Sequence, residues 1–281
     1  VVVCLAEDHF LLHTTSGGAV AVHEHLEEWL QCDGTAVEAL VTDVTAAWAT
    51  FMLSGPAARD ILRRLPSDLE LDAAAFAHMH YRAGRLAGVP CRVLRASFTG
   101  ELSFEISVPA GYGRATWDAL LAAGRESGLL PVGIEALMVL RTEKGYPHVG
   151  TDTDGTTTAP DLGWGAVITR QAGDFVGRRS LDLPAARDPG RRQFTGLATV
   201  DPAARLQAGA HLLTADGSAS AGYVTSACYS PTLGRTVALG LVAGARERQG
   251  EVVKAWYAGE EVAVRLVAPG FYDPAGERLY D

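Results

Sequence analysis

The 281-residue sequence lacks the features by which several large classes of protein are recognised. It has no basic excess, since 33 acidic residues stand against 24 basic ones for a formal net charge of −9, which argues against a nucleic-acid surface. No apolar run approaches the roughly 18 residues that indicate a membrane-spanning helix. The sequence also has no glycine-rich dinucleotide-binding motif and no phosphate-binding loop, which does not favour a nucleotide-binding function. No order of Ser, His and Asp along the chain indicates the catalytic triad of a hydrolase.

Cysteine is scarce as well, and none of the cysteines forms a Cys-x-x-Cys pair. The four are Cys4, Cys32, Cys91 and Cys228. They are interpreted as small buried residues in a reducing compartment, not as a disulfide framework or a zinc site. The composition therefore predicts a cytoplasmic protein that binds no metal, no membrane and no nucleic acid.

The chain begins with an apolar stretch and not with methionine. Residues 1–12 are typical of a strand, a turn and a second strand, and they lack the charged segment and cleavage site of a signal peptide. A strand that opens a chain with no partner before it predicts a domain whose N-terminal part is missing.

Glycine and proline mark most breaks between the predicted elements. Apolar residues at helical spacing predict helices over 19–31, 57–65, 112–124 and 133–144. Alternating or β-branched runs predict strands over 37–44, 47–53, 79–86, 89–97 and 102–108. The last helix is expected to turn Ile134, Leu137, Met138 and Leu140 inward and to end at Gly145 in a left-handed cap.

The character of the sequence changes after residue 183. Residues 184–193 hold two prolines, a glycine and paired arginines, which indicates a linker. Short strands separated by glycine-containing turns follow over 194–266, a pattern typical of a β-barrel. The predicted fold class is α+β: an N-terminally incomplete domain of antiparallel sheets and helices over 1–183, the linker over 184–193, and a small C-terminal β-barrel domain over 194–281.

Residues 98–108 combine a hairpin turn with a strand that carries two carboxylates. Alternation puts Leu102, Phe104 and Ile106 on one face and Glu101 and Glu105 on the other. One interpretation is a half-solvated strand with surface carboxylates. The other is that Glu105 points into a cavity, where a carboxylate can accept hydrogen bonds from adjacent N–H donors of a planar ligand.

The end of the helix predicted over 133–144 carries an arginine, Arg141, at a position beside the core. A partly buried arginine needs an anionic partner. The alternative interpretation of this segment is a charged, solvated helix end whose basic residues face the helix dipole.

The loop over 150–163 contains Asp152 and Asp154 at a spacing that begins a calcium-binding loop. The third ligand and the glutamate at the twelfth position are missing, so this interpretation is rejected. Trp164, just after the loop, has a flat face that can stack on a planar ligand, although a core position is the more common role for such a tryptophan. The eight histidines are scattered and are interpreted as structural or solvated residues.

Residues 222–240 carry the most specific signal. They begin Gly-Tyr-Val-Thr-Ser-Ala-Cys-Tyr-Ser-Pro-Thr-Leu-Gly and predict two strands joined by a turn at 230–234. The segment closely resembles the Gly-x-Val-Thr-Ser-x-x-Ser-Pro-x-Leu signature of the glycine-cleavage T-protein family, the folate-binding aminomethyltransferases. Ser226, Ser230 and Pro231 are expected to shape the wall of the folate site structurally and not to contact the ligand.

Further motifs support the resemblance in order along the chain. Residues 98–106 resemble Tyr-Thr-Gly-Glu-x-x-Phe-Glu-Ile, whose second Glu holds the pterin of tetrahydrofolate; Glu105 matches that position, and Phe98 replaces the tyrosine. Arg141 opens the family's Arg-x-Glu-x-Gly and is implied to shape or line the folate cavity. Asp161 replaces the glutamate of Thr-x-Pro-Glu, and Trp164 matches the aromatic residue after it.

Within the family, the chain is most similar to the C-terminal half of the α subunit of heterotetrameric sarcosine oxidase. The resemblance implies a tetrahydrofolate-binding module that captures the one-carbon unit from oxidative demethylation of sarcosine and forms 5,10-methylenetetrahydrofolate. Flavin and NAD are expected only on other parts or subunits of such an enzyme. The other sarcosine oxidase subunits are the expected protein partners.

The family's catalytic aspartate would precede the strand that starts at Val1, so no residue is assigned that role and the chain is expected to be an incomplete catalytic unit. Three other functions stay open: a free-standing aminomethyltransferase acting on a lipoyl carrier, a folate module of the dimethylglycine dehydrogenase type, and a folate-binding fragment without turnover.

Overall fold

The computed structural model describes residues 1–32, 38–170 and 173–280. They form two compact units. Unit 1 comprises Val1–Ser97, Glu101–Pro131 and Glu277–Asp281, and unit 2 comprises Phe98–Gly100 and Val132–Gly276. The domain boundary predicted within 184–193 stays a prediction. Among the described residues, no helix has the length and apolar composition that crossing a bilayer requires.

Unit 1 opens with the predicted hairpin, in which β1 (Val2–Ala6) pairs antiparallel with β2 (His9–Leu12). Val3 is buried, and it packs together with Leu94 and Ala96 further along the chain. Since an isolated two-stranded hairpin is at best marginally stable in water, this apolar contact stabilises it. The predicted first helix is also confirmed, as α1 (Ala19–Cys32).

The core of unit 1 is a four-stranded antiparallel sheet in the order β3-β6-β5-β4. The strands are β3 (Trp48–Ser54), β4 (Tyr81–Leu86), β5 (Val89–Leu94) and β6 (Ser103–Pro109). Two helices, α2 (Ala58–Arg63) and α3 (Gly113–Gly124), complete the unit. Phe104 and Ile106 of β6 share one hydrophobic core with Leu62 of α2 and Leu120 of α3. These four strands and two helices confirm their predictions.

The strand predicted over 37–44 is wrong for residues 38–44, which form no strand. Residue 37 lies outside the described part of the chain. A strand needs a neighbour for its backbone hydrogen bonds and a buried face for its apolar side chains. This segment pairs with none of the described strands, and Leu40 within it is 99% exposed.

The first helix of unit 2 is α4 (Ile134–Lys144), which ends at Gly145 with φ 77° as predicted. The prediction that Ile134 turns inward is wrong, because this residue is 75% exposed. Burial falls instead on the polar last turn, where Arg141 and Glu143 lie. Two short helices follow, α5 (Gly165–Thr169) and α6 (Pro184–Arg187), the latter within the segment predicted to be a linker.

The rest of unit 2 contains the predicted barrel, closed in the order β10-β7-β12-β11-β8-β9. Its strands are β7 (Arg192–Thr199), β8 (His211–Leu213), β9 (Ser220–Ser230), β10 (Arg235–Ala243), β11 (Val252–Tyr257) and β12 (Glu260–Val267). Leu197, Leu212 and Leu266 lie among its buried core residues. The predicted hairpin is β9 and β10, joined by residues 231–234.

The interpretation of all four cysteines as buried residues is wrong for two of them. Cys91 is buried and Cys228 is half-buried, whereas Cys4 and Cys32 are exposed. Cys4 alternates with the buried Val3 along β1 and therefore lies on the outer face of the hairpin.

Candidate functional site

Glu105 lies in the middle of β6 and extends from the face opposite the core. Phe104 and Ile106, its neighbours along the strand, are fully buried, while the Glu105 side chain is 27% exposed. Its partners across the sheet are Met52 on β3 and Leu94 on β5. Directly paired residues of an antiparallel sheet share a face, so the carboxylate stands between two apolar side chains. This is a partly desolvated acceptor, suited to a planar ligand with paired N–H donors.

The basic group beside Glu105 is His13, directly after β2. Its Nδ1 lies 3.6 Å from Glu105 Oε2, and its side chain is 26% exposed. The interpretation of every histidine as structural or solvated therefore missed a group in contact with the predicted ligand-binding carboxylate. No local pattern around His13 indicates this contact, because the two residues lie on elements far apart in sequence.

Arg141 is completely buried at the end of α4, and the anionic partner that its burial requires is Asp152. The Arg141 Nη1 group donates to Asp152 Oδ2, and Nη2 donates to Ser226 Oγ at 2.6 Å. The backbone N–H of His148 also donates to Asp152 Oδ2, at 2.8 Å. A buried ion pair needs such additional hydrogen bonds to offset the loss of hydration.

Hydroxyl groups of β9 complete this polar network. Thr225 Oγ1 and Ser226 Oγ both donate to Asp152 Oδ1, the latter at 2.8 Å. Ser230 Oγ donates to Glu143 Oε1 at 2.5 Å. The hydroxyls of the 222–240 signature thus supply hydrogen bonds to the buried carboxylates of Asp152 and Glu143, which water would otherwise provide. This is a structural role.

The last residue of α4 is also charged and buried. Lys144 Nζ lies 2.9 Å from Asp273 Oδ2 and donates to the backbone oxygen of Asp273. The Lys144 stem packs where Gly100 has no side chain, since a Cβ there would lie 2.4 Å from Lys144 Cδ. The sequence offered only a charged helix end near the helix dipole as the setting of Lys144, and it did not indicate the pair with Asp273.

Asp161 forms a second ion pair, with Arg191. Arg191 Nη2 lies 2.6 Å from Asp161 Oδ2, and Thr158 donates to the same oxygen through its N–H and its hydroxyl, both at 2.8 Å. Burial acts to raise the pKa of Asp161, but the hydrogen bonds from Arg191 and Thr158 outweigh it and hold the pKa below its ordinary value. Asp161 is therefore an ionised, fully engaged carboxylate.

The Asp161–Arg191 pair gives a prediction for acid stability. A carboxyl whose pKa is lowered by folding stabilises the folded state above its unfolded pKa, about 3.9 for Asp, and this contribution is lost as the pH falls through the lower folded value. We expect Asp161→Asn to lower the free energy of unfolding at pH 7 by about 1–3 kcal/mol. The variant should also lose less stability than the wild type as the pH falls from about 4 towards 2.

Urea unfolding at pH 7, 4 and 3 measures both effects. Asp118→Asn, which removes a carboxylate from an exposed i,i+4 pair with Arg114, is the matched control and should change stability by less than about 1 kcal/mol. Equal pH dependence in the wild type and Asp161→Asn would contradict the assignment of acid sensitivity to this pair.

A cavity of about 210 Å³ in unit 2 adjoins the same pair and is lined by Asp154, Thr156, Thr157, Asp161, Arg191 and Arg192. Its carboxylates are already satisfied within the protein. The hydroxyl and backbone N–H of Thr156 hold the pKa of Asp154 at about 2, and Tyr223 Oη donates to Asp154 at 3.2 Å. The lining therefore behaves as a self-contained polar cluster, and we do not assign the ligand site to it.

The two predicted aromatic residues differ in their surroundings. Phe98 is half-buried, and its ring centroid lies 6.2 Å from that of His148 at an interplanar angle of 56°. Trp164 precedes α5 and is 43% exposed, so a core role for its indole is wrong. An indole exposed to this extent is compatible with stacking on a planar group.

Two family models match this chain over most of its length. The family model for the GCVT N-terminal domain matches residues 1–172, and the model for the glycine cleavage T-protein C-terminal barrel domain matches residues 192–273. The chain belongs to the glycine-cleavage T-protein family. The resemblance inferred from the sequence motifs is therefore confirmed.

Named relatives within the T-protein family fall into two groups. Sarcosine oxidase subunit alpha from Corynebacterium sp. strain U-96 is 42% identical over 98% of this chain, which spans 29% of that subunit. Aminomethyltransferase from Saccharopolyspora erythraea is 33% identical over 97% of this chain and 72% of the relative. A crystal structure of glycine cleavage system aminomethyltransferase T from Bartonella henselae matches with a TM-score of 0.76 and 25% identity, covering 97% of this chain and 71% of that one.

The five predicted ligand-binding residues of this T-protein family member divide between the two units. Glu105 lies in unit 1, while Phe98, Arg141, Asp161 and Trp164 lie in unit 2. Among the described residues of unit 2, none of these four hydrogen-bonds another: Arg141 is held by Asp152 and Asp161 by Arg191. Sequence reasoning missed Asp152 as the partner of Arg141, although its place in a polar loop close after α4 was an available signal.

Proposed function

We propose that this chain is the tetrahydrofolate-binding, one-carbon transfer module of a sarcosine oxidase α-like protein. In this proposal it captures the one-carbon unit released by oxidative demethylation of sarcosine and forms 5,10-methylenetetrahydrofolate. Support comes from membership of the T-protein family and from 42% identity over 98% of the chain to a sarcosine oxidase subunit alpha. Flavin and NAD belong, in this proposal, to other parts or subunits of the enzyme.

The observation that carries the proposal is the environment of Glu105. The carboxylate is partly exposed on an interior strand of the sheet and flanked by the apolar Met52 and Leu94. Such an acceptor fits the adjacent N–H donors of a pterin's aminopyrimidine edge, and desolvation strengthens charge-assisted hydrogen bonds. When bound, tetrahydrofolate supplies N5 and N10, the atoms that accept the one-carbon unit.

The remaining predicted residues take supporting roles in the proposal. The Arg141 guanidinium and the Asp161 carboxylate are fixed by their ion pairs, so they hold the shape of unit 2. Phe98 and Trp164 offer flat apolar faces without an added charge. Phe98 also lacks the hydroxyl of the family's tyrosine, and we associate that difference with the sarcosine oxidase branch over the free-standing aminomethyltransferases.

Tetrahydrofolate titration tests the proposal. We expect Glu105→Ala to weaken binding by about 1–3 kcal/mol, the contribution of a hydrogen bond to a charged group. This corresponds to an increase in Kd of about 5- to 150-fold. Anaerobic calorimetric titration of the full chain gives the Kd directly.

The matched control is Glu70→Gln, which removes an exposed carboxylate from the same unit and should leave the Kd unchanged. Equal affinities of Glu105→Ala and wild type would refute the assignment of the pterin to Glu105. A wild-type chain that does not bind tetrahydrofolate at all would refute the proposed function itself.

A further inference from the structure

The position of His13 is set by the backbone pairing and the apolar packing of the hairpin, and not by the charge of its side chain. The N–H of His13 donates to Val1 O at 2.8 Å, and Val1 N lies 2.9 Å from His13 O, so the backbone of His13 is held by the pairing of the hairpin. Val3 and Leu11 of the hairpin pack with Leu94. Because Leu94 is paired with Glu105 across β5 and β6, the hairpin covers the sheet face that carries Glu105.

Other charged groups on this face are engaged elsewhere. Arg92 on β5 is paired with Ser107, two residues beyond Glu105, and its guanidinium lies 4.3 Å from the centre of the Trp48 ring. Within the described ranges 1–32, 38–170 and 173–280, His13 is the basic residue within ion-pair distance of Glu105. The two side chains are exposed to nearly the same extent, so both can be reached by a ligand that contacts either.

We propose that His13 is a positioning residue for Glu105 in ligand binding, an inference that rests on the proposed function. The imidazole attracts Glu105 Oε2 and holds the carboxylate in one orientation before the ligand arrives. A carboxylate has about four acceptor positions, so a contact at Oε2 leaves room for two N–H donors of a pterin. Fixing the acceptor in advance reduces the entropy lost on binding, which strengthens affinity without adding a contact to the ligand.

The distance of 3.6 Å between His13 Nδ1 and Glu105 Oε2 indicates the kind of interaction between the two side chains. It is longer than an N–H···O hydrogen bond, so the attraction is electrostatic or passes through a bridging water. Exposed and half-exposed pairs of this kind have modest strength. The expected effect of removing His13 is therefore smaller than that of removing Glu105, and it should depend on the presence of the Glu105 carboxylate.

A double-mutant cycle in the full chain tests the inference, with the Kd for tetrahydrofolate as the readout. We expect His13→Ala to raise the Kd about two- to fivefold in the wild-type background. In the Glu105→Gln background the same substitution should leave the Kd unchanged, because the group that it orients is absent. His13→Lys, which keeps a basic side chain beside the carboxylate, should lose less affinity than His13→Ala.

His9→Ala is the matched control, since His9 is an exposed histidine on the same hairpin. It should leave the Kd at the wild-type value, and thermal unfolding of all variants should show unchanged midpoints. An equal effect of His13→Ala in both backgrounds, or no effect in either, would overturn the positioning role. In both cases, the proposed function survives if wild-type binding still depends on Glu105, whereas a wild type that does not bind overturns both.

Discussion

Replacing Asp152 with asparagine is expected to lower the free energy of unfolding by about 3–5 kcal/mol, because the substitution leaves the buried Arg141 guanidinium without its counter-charge. Asparagine keeps the size of the side chain, so the loss reports charge and not packing. Two hydroxyls of β9 and the His148 N–H, which donate to the carboxylate, would also meet a weaker acceptor. Urea unfolding followed by circular dichroism measures the change.

Asp182→Asn is the control for this experiment, since Asp182 lies in the same unit and forms an exposed ion pair with Arg187. Its loss should be about 1 kcal/mol or less, as expected for exposed charged groups. The double variant Arg141→Met/Asp152→Asn should be less destabilised than the sum of its single changes, because the isolated charge is removed. Additive losses, or similar losses for Asp152→Asn and Asp182→Asn, would contradict a buried ion pair at this position.

The second large effect is expected at Gly145, which ends α4. Its φ of 77° is left-handed, a conformation that costs an L-residue about 1–2 kcal/mol. A Cβ at this position would also lie 2.2 Å from the backbone nitrogen of Gly270, and backbone cannot move aside as a flexible side chain can. We expect Gly145→Ala to destabilise the chain by about 2–5 kcal/mol, the sum of the conformational and steric effects.

Gly128→Ala separates the two contributions. Gly128 has nearly the same backbone conformation, with φ 72°, but open space around the added Cβ. This variant should lose about 1–2 kcal/mol, the conformational part alone. Thermal unfolding of the two variants side by side gives the difference, and equal losses would show that the contact with Gly270 relaxes without cost.

Local sequence patterns correctly predicted those features that depend on residues close together in the sequence. The alternation around Glu105 correctly separated Phe104 and Ile106, which are buried, from the partly exposed carboxylate. Gly145 was predicted as a left-handed cap because a glycine after a helical stretch has a direct conformational reason to be there. The strand predicted over 37–44 failed because strand propensity is expressed only where a partner strand and a buried face exist.

The sequence predicted candidate ligand-binding residues but not the contacts that those residues make. The need of Arg141 for an anion followed from its burial, yet its contact with Ser226 joins residues 85 positions apart. His13 and Glu105 are likewise brought together only by the packing of the hairpin on the sheet. Local patterns contain no information about such pairs, because they depend on which elements become neighbours in the folded unit.

The burial of Lys144 has a consequence for chemical labelling. The sequence contains two lysines, Lys144 and Lys254. The Lys144 ammonium is enclosed and paired with Asp273, whereas the Lys254 side chain is 63% exposed on β11. Amine-reactive dyes or surface-coupling reagents should therefore modify the folded chain at one lysine on the barrel, and delayed modification of Lys144 would follow the opening of unit 2 over time.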